Sequence, residues 1–387
     1  MLFKVKGMND ISIYFQEVVD SKTWKEQQLG SYILKNQGSF PNLEKNACAI
    51  MYVPEYRGSN AENPIHSSGF RTALYELHHE GSWNLPIYDL GDILPGNTLE
   101  DTYFAVAKVV AELVKMKIIP IIIGGSQDLT VAMYNGYEKL EQLVNICSVD
   151  HALDLGSPDE EISSNGYLSQ ILLKRPCYLF NHANIGLQRP YASIKEFDLF
   201  EKLYFDICRL GEFNQDFTLA EPHLRNADII NIDFNCIKAS ETLNPRAIPN
   251  GFYAEQMCQI AKYAGISDKV TSLGIFNYEH PNILSDKMLA EIIWYFVQGT
   301  MSRKGDFPIG SKIDYTRFTV FLEDSGREII FFKSNKSARW WMEVPYPPQS
   351  GTKYERHHMV PCNKSDYDNA MKNEMPDLWW KTYQKLG

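Results

Sequence analysis

The chain has 387 residues, a formal net charge of −10 at neutral pH, 44% apolar and 22% charged residues. That length supports one large core or two to three smaller ones, and that composition excludes wholesale disorder. The acidic balance argues against a general nucleic-acid binder and against docking on anionic membrane surfaces. In chain order, "ACAIMYVPE" (47–55) reads as a buried strand, "HSSGFRTALYELHH" as a helix and "NLPIYDLGD" as a strand. "TLEDTYFAVAKVVAELVKMK" is the clearest helix: Thr98 and Asp101 form a capping box, and Phe104, Ala107, Val110, Leu113 and Val114 recur at helical spacing. "IIPIIIGG" is a β-branched run stopped by two glycines, as expected of a strand buried on both faces. A helix from about Asp128 and the strand "VNICSVD" follow. "ADIINID", the helix "GFYAEQMCQIAKYAG" and "KVTSLGIF" repeat the pattern.

Alternation of this kind predicts a mostly parallel sheet with helices on both faces. After the helix "SDKMLAEIIWYFVQG" the texture changes. "RFTVFLED" and "REIIFFKS" flank Asp324-Ser325-Gly326 and read as a β-hairpin. "ARWWMEVPYPPQ" opens a Trp- and Pro-rich loop, and "MPDLWWKTYQKLG" is a final amphipathic helix. The organisation expected is an α/β domain over 1–300 and a smaller module over 301–387. No stretch approaches eighteen consecutive apolar residues, and the N-terminal twenty residues hold no long apolar run, so neither a membrane span nor a signal peptide is predicted. The seven cysteines are scattered with no Cys-x-x-Cys pair, which points to reduced, mostly buried thiols and a cytoplasmic setting.

In parallel α/β sheets, functional groups gather at the carboxyl ends of strands. Three such ends are polar here: Gly124-Gly125-Ser126-Gln127-Asp128, Asp150-His151-Ala152-Leu153-Asp154, and Asp233-Phe234-Asn235. A single strand-end Asp is more often a turn or cap residue. Three of them in order are what a carboxylate-rich divalent-metal site requires. Asp150, Asp154 and Asp233 are therefore expected to share one crevice, and without a cation at least one should have a raised pKa. In an extended segment side chains alternate faces, so His151 is expected to point away from Asp150 and Asp154 unless a bulge intervenes.

From about Ala47 to Tyr295 the chain resembles the ureohydrolases (arginase, agmatinase, formimidoylglutamase). "VPEYRG", the Gly-Phe-Arg-x-x-Leu-Tyr helix, "IYDLGDI" and the three strand ends carry the likeness. The resemblance implies an arginase-like three-layer sandwich and, in the family, two manganese ions on four aspartates and two histidines. Position by position, Asp150 and Asp233 match the bridging aspartates and Asp154 matches a ligand private to the first metal. Gln127 stands where that metal has its histidine. Ala152 and Asn235 stand where the second metal has its histidine and aspartate. Asn165 falls on the family's catalytic histidine, and Tyr278, or Glu279 with a one-residue slip, on its substrate-facing glutamate.

Two cations are needed to acidify a bridging water enough to attack an amidine carbon at neutral pH. The resemblance, with these departures, leads to the expectation of a non-catalytic scaffold or binding protein without a cofactor. The alternative is a formimidoylglutamase- or agmatinase-type hydrolase with a reduced site. There one weakly bound divalent cation (Mn or Mg) would sit on Asp150, Asp154 and Asp233, with Gln127 and Asn235 as oxygen donors. A protein partner is expected, with Trp340, Trp341, Tyr346, Trp379 and Trp380 as its candidate surface. The competing reading is that these rings pin the C-terminal module to the core. Family likeness makes a homo-oligomer plausible; no nucleic-acid partner and no membrane insertion are expected.

Overall fold

Ten strands build the central sheet: β1 (Phe15–Gln16), β2 (Leu34–Lys35), β3 (Ala47–Tyr52), β4 (Ile87–Ile93), β5 (Ile118–Ile123), β6 (Val144–Val149), β7 (Leu179–Leu187), β8 (Asp206–Arg209), β9 (Ile229–Asp233) and β10 (Ser272–Phe276). The coordinates are a computed structural model that describes residues 11–59, 69–156, 162–308, 310–346 and 357–387. The strand order is β1-β4-β3-β5-β10-β9-β6-β7-β8, with β2 also on β4. Among the described residues all pairings are parallel except that of β1 with β4. β3, β5, β6, β9 and β10 are buried along their whole length, which explains their unbroken apolar runs.

Helices cover both faces. One apolar layer joins inward residues such as Ile121, Ile230 and Leu273 to the helices Gly69–Glu76, Ala254–Ile266 and Ile283–Met301. The other joins Ile122, Ile146 and Ile229 to the helices Leu99–Lys115, Leu129–Glu138 and Tyr167–Leu173. The Thr98–Asp101 capping box forms as expected. The part of the predicted helix that precedes Gly69 lies outside the described residues. Among the described residues no helix is long and apolar enough to cross a membrane, and all seven cysteines are free.

A second, antiparallel sheet follows the helix Ile283–Met301: β11 (Tyr315–Leu322), β12 (Arg327–Ser334), β13 (Trp340–Pro345) and β14 (His357–Cys362), in that order, with the helices Lys364–Ala370 and Asp377–Leu386. The β11–β12 hairpin is the predicted one. The described residues of the predicted Trp- and Pro-rich loop are instead largely strand; β14 lies at the edge of the sheet, where Pro361 can sit opposite Trp341 without removing a needed donor. The partner surface expected of the five aromatic residues is also corrected. Trp340, Trp341 and Trp379 are buried, since Trp340 stacks with Tyr367 and Phe318 and Arg225 lies over Trp341. Trp341 marks the junction with the core, under Arg225, which also donates to the carbonyl oxygens of Trp340 and Cys362; Trp340 and Trp379 belong to the module's own apolar cluster. Only Tyr346 and Trp380 of the five are exposed.

His182 on β7 is fully buried between Phe200 and Phe205, and among the described residues neither ring nitrogen has a hydrogen-bond partner. Burial pushes its pKa down to about 3. The unfolded chain binds a proton here below about pH 6.5 while the folded chain does not, so this contribution to stability is lost as pH falls from 6.5 toward 3. Between pH 7 and pH 4 the wild type should lose on the order of 3 kcal/mol more than His182→Phe, read from urea midpoints at both pH values. Parallel losses in the two proteins would exclude His182 as the cause.

Candidate functional site

Four strands adjacent in the sheet, β5-β10-β9-β6, deliver the polar groups to one end of it. Gln127 follows β5, Asn277 follows β10, Asp233 ends β9 and Asp150 follows β6. The turn after β5 depends on its glycines. Gly125 has φ +70°, and a Cβ there would stand 2.7 Å from the carbonyl oxygens of Val53 and Glu55, a position that only glycine fills without strain. The turn brings Gln127 over the neighbouring strand ends. Asp128, the last residue of that cluster, is buried and accepts from Tyr103 and Ser164.

The carboxylates meet in a cleft of about 330 Å³. Asp150 accepts from Gln127 Nε2 at 2.6 Å and from the Ala152 amide at 2.9 Å. Asp233 Oδ1 accepts from the Asn235 amide at 2.9 Å and from Asn277 Nδ2 at 2.8 Å. Gln127 and Asn277 are themselves paired, Asn277 Nδ2 donating to Gln127 Oε1 and the Gln127 amide to Asn277 Oδ1. Asp154, in left-handed backbone at φ 47°, hydrogen-bonds Asp150.

His151 does not turn away. Its Nδ1 lies 3.2 Å from Asp150 Oδ1 and 3.6 Å from Asp233 Oδ2, with Tyr191 edge-on at 4.8 Å. The alternation argument fails because β6 ends at Val149 and the chain bends at 151–152, where the Ala152 amide turns back onto Asp150. Past the last paired residue, strand periodicity no longer sets direction. Asp150, His151 and Asp233 place one ligand-capable atom each within 4.8 Å of one another; among the described residues this is the site's metal-capable triad.

Electrostatics separates the three carboxylates. Burial, and then Asp150, raise Asp154 well above the usual range. Burial followed by the charge of Asp150 pushes Asp233 up to about 7. Burial works against Asp150 as well, but contact with His151 more than offsets it and holds Asp150 below its ordinary value. His151 moves up in turn: burial opposes its charge, and Asp150 and Asp233 favour it. Two like charges this close and buried cannot both ionise freely.

Asn165 lines the cleft. Tyr278 does not; it is buried against Phe70 and Phe234, and its hydroxyl donates to Asp286. Glu279 lies just beneath the wall, 1% exposed, in an ion pair with Arg246, which does line it. Asn235 does not face the acidic cluster with a free oxygen, since its Oδ1 accepts from Asn244 Nδ2 at 2.7 Å. Gln127 likewise spends its amide nitrogen on Asp150. Sequence reasoning missed Asn277, Tyr191, Glu196 and Arg246. A usable signal existed only for Asn277, the polar residue that follows the strand "KVTSLGIF".

Residues 65–223 match the arginase family. A formimidoylglutamase of Streptococcus gordonii is 23% identical over 270 residues, which cover 64% of this chain and 80% of that protein. The crystal structure of formimidoylglutamase from Bacillus subtilis superposes with a TM-score of 0.63 at 14% identity, covering 75% of this chain and 97% of that one. Formiminoglutamase of Trypanosoma cruzi, solved with manganese, superposes with a TM-score of 0.62 at 17% identity, over 72% of this chain and all of that one. Similarity over the matched segment, the mostly parallel sheet between two helical layers and the order of the polar strand ends agree: over residues 65–223 the chain is similar to the arginase, or ureohydrolase, family, and it has an arginase-like fold.

Proposed function

We propose that this protein is a ureohydrolase-family member that lacks the binuclear manganese centre and acts as a non-catalytic scaffold or binding protein. The observation that carries this reading is the direction of the amide groups. Gln127 and Asn277 aim N–H donors at the two carboxylates, Asp150 and Asp233, that match the family's metal bridges. An amide N–H cannot ligate a cation, and a carboxylate oxygen that accepts it is partly spent. At the second metal's positions Ala152 offers no side-chain donor and the Asn235 carbonyl is already taken by Asn244. The residues present do not fit a pair of manganese ions, so no step is derived through one. His151 stands between the two acids, which favour its charged form, in the place where a cation would offset them.

A second reading rests on the same histidine. One imidazole nitrogen and two carboxylate oxygens within 4.8 Å of one another form a ligand set for one divalent cation, which would suit a one-metal hydrolase of linear amidines. Metal analysis after incubation with Mn, with assays for urea or ammonia released from formimidoylglutamate, agmatine and arginine, separates the readings. Less than one ion per chain and no turnover is the expected result. One bound ion with turnover favours the second reading. Two ions per chain, about 3.5–4 Å apart as in binuclear hydrolases, would sink the first.

As for partners, of the five aromatic residues first considered Tyr346 and Trp380 are exposed and remain candidates for contact. The adjoining stretch 347–356 lies outside the described residues.

A further inference from the structure

A groove of about 770 Å³ lies where the C-terminal module meets the α/β core. The chain as a whole is acidic, with 38 Lys and Arg against 48 Asp and Glu. The groove reverses that balance. Arg225, Lys304, Lys333, Lys336, Arg339 and Lys364 line it, and Glu221 is the one acid among the described lining residues. The cations come from separate parts of the chain. Arg225 lies on the helix Glu221–Asn226, Lys304 follows the helix Ile283–Met301, and Lys333 is on β12. Lys336 and Arg339 belong to the turn between β12 and β13, and Lys364 opens the helix after β14.

Two of the six cations are committed to the fold. Arg225 is buried, its Nε 2.9 Å from Glu221 Oε1, and it holds two carbonyl oxygens of the module. Arg339 pairs with the buried Asp306, which also accepts from Ser337. Asp306 thereby ties the β12–β13 turn to the segment that carries Lys304, and the groove wall is fixed. The other four cations are available. Lys304 and Lys333 have no ion-pair partner among the described residues, and Lys333 stands opposite Trp340 in the ladder with Nζ 5.7 Å from its ring centroid. Lys336 pairs with Asp314 at 2.8 Å and Lys364 with Asp368 at 3.5 Å, but these four side chains are between 46% and 70% exposed. Ion pairs so open to water contribute little, and a ligand can replace them. Glu221, the lining acid, is already taken by Arg225. Four ammonium groups around one cavity match an anion with three or four closely spaced negative charges, and a lone carboxylate does not match them. A cavity of this size at a domain junction suits a small molecule, whereas a nucleic acid is met by a basic stripe along a face.

We propose that this groove is a binding site for a polyphosphate anion, free or as the tail of a nucleotide, with Lys304, Lys333, Lys336 and Lys364 as its phosphate contacts. Tyr263 also lines the groove, stacked on Phe217, and gives a nucleotide base a ring on which to stack. The site lies outside the strand-end cleft and stands whether or not that cleft takes a metal.

The test titrates the full chain, stripped of metal and kept in EDTA at low salt, with sodium tripolyphosphate and in parallel with ATP, followed by calorimetry. One equivalent per chain is expected to bind, more weakly as salt is added. Lys304→Gln/Lys333→Gln should weaken binding at least about tenfold, as expected for two lost charge-assisted contacts, while the melting temperature without ligand stays near that of wild type. Lys25→Gln/Lys45→Gln removes the same charge from exposed lysines outside the groove and should change binding less than about twofold. Tighter binding of ATP than of tripolyphosphate, with the advantage lost in Tyr263→Leu, assigns the nucleotide form; equal or weaker binding of ATP assigns the free chain. Absence of saturable binding, equal weakening in the two double variants, or tighter binding of a single-stranded oligonucleotide than of either ligand overturns the proposal.

Discussion

Arg71→Ala is expected to cost about 3–5 kcal/mol of unfolding free energy, the range for breaking one side of a buried ion pair. Arg71, on the helix Gly69–Glu76, is 6% exposed. Its Nε and Nη2 grip Asp89 at 2.8 and 3.1 Å, and Nη1 reaches Asp92 at 2.6 Å. Asp89 lies on β4 with no exposed surface and, among the described residues, keeps the Tyr75 hydroxyl and the Gly91 amide as donors when the guanidinium is removed. The loss therefore comes mostly from a stranded buried charge rather than from missing contact area. Chemical denaturation measures it. The discriminating partner is Arg71→Met/Asp89→Leu, in which neither charge remains; it should recover most of the loss. A single variant within about 0.5 kcal/mol of wild type, the usual surface range, would show that the pair is solvated.

This pair marks how far the sequence could be read. "GFRTALYE" and "IYDLGD" were recognisable as a helix and a strand and as family-like stretches, yet nothing in either string says that Arg71 binds Asp89. Strands β3, β5, β6, β9 and β10 were legible because burial on both faces leaves a nearly continuous apolar run, and β4, with Asp89 and Asp92 in it, from its place in the alternation of strands and helices. β7 and β8 were not, since "LFNHANIGL" and "DICR" mix Asn, His and Asp into the run, and partners such as that of Asn181 are met only in three dimensions. Asn181 Nδ2, for instance, donates to Asp206.

The candidate site divides the same way. Asp150, Asp154 and Asp233 could be placed because strand order is enough to bring strand ends together. The direction of His151 could not, because it depends on one backbone turn after β6. Arg246 belongs to a loop far from Glu279 in sequence, and neither its ion pair with Glu279 nor the Asn244–Asn235 hydrogen bond in the same loop is encoded in any periodicity. The substitutions at 127 and 235 were visible as departures. Their new use, donating to an acid at 127 and anchoring a loop at 235, required coordinates.

Trp379→Ala should be as damaging as the loss of Arg71, while Trp380→Ala should be nearly silent, although the two residues are neighbours. Trp379 is 1% exposed; its ring stacks on Tyr383 at 5.2 Å, and its Nε1 donates to the Glu343 carbonyl on β13 at 2.9 Å. It fastens the helix Asp377–Leu386 to the second sheet among Val344, Val360 and Cys362. Truncation to alanine removes a large buried ring, for which about 3–5 kcal/mol is typical, and leaves a carbonyl without its donor. Trp380 is 42% exposed, and its replacement should fall within about 0.5 kcal/mol. The loss at 379 should appear first in the C-terminal sheet, as faster amide exchange across β13 and the last helix. The β3–β5 and β9–β10 amides should keep their protection longer, because those strands lie in separate apolar layers. Equal melting temperatures for the two alanine variants would mean that the last helix is not docked on the sheet through Trp379.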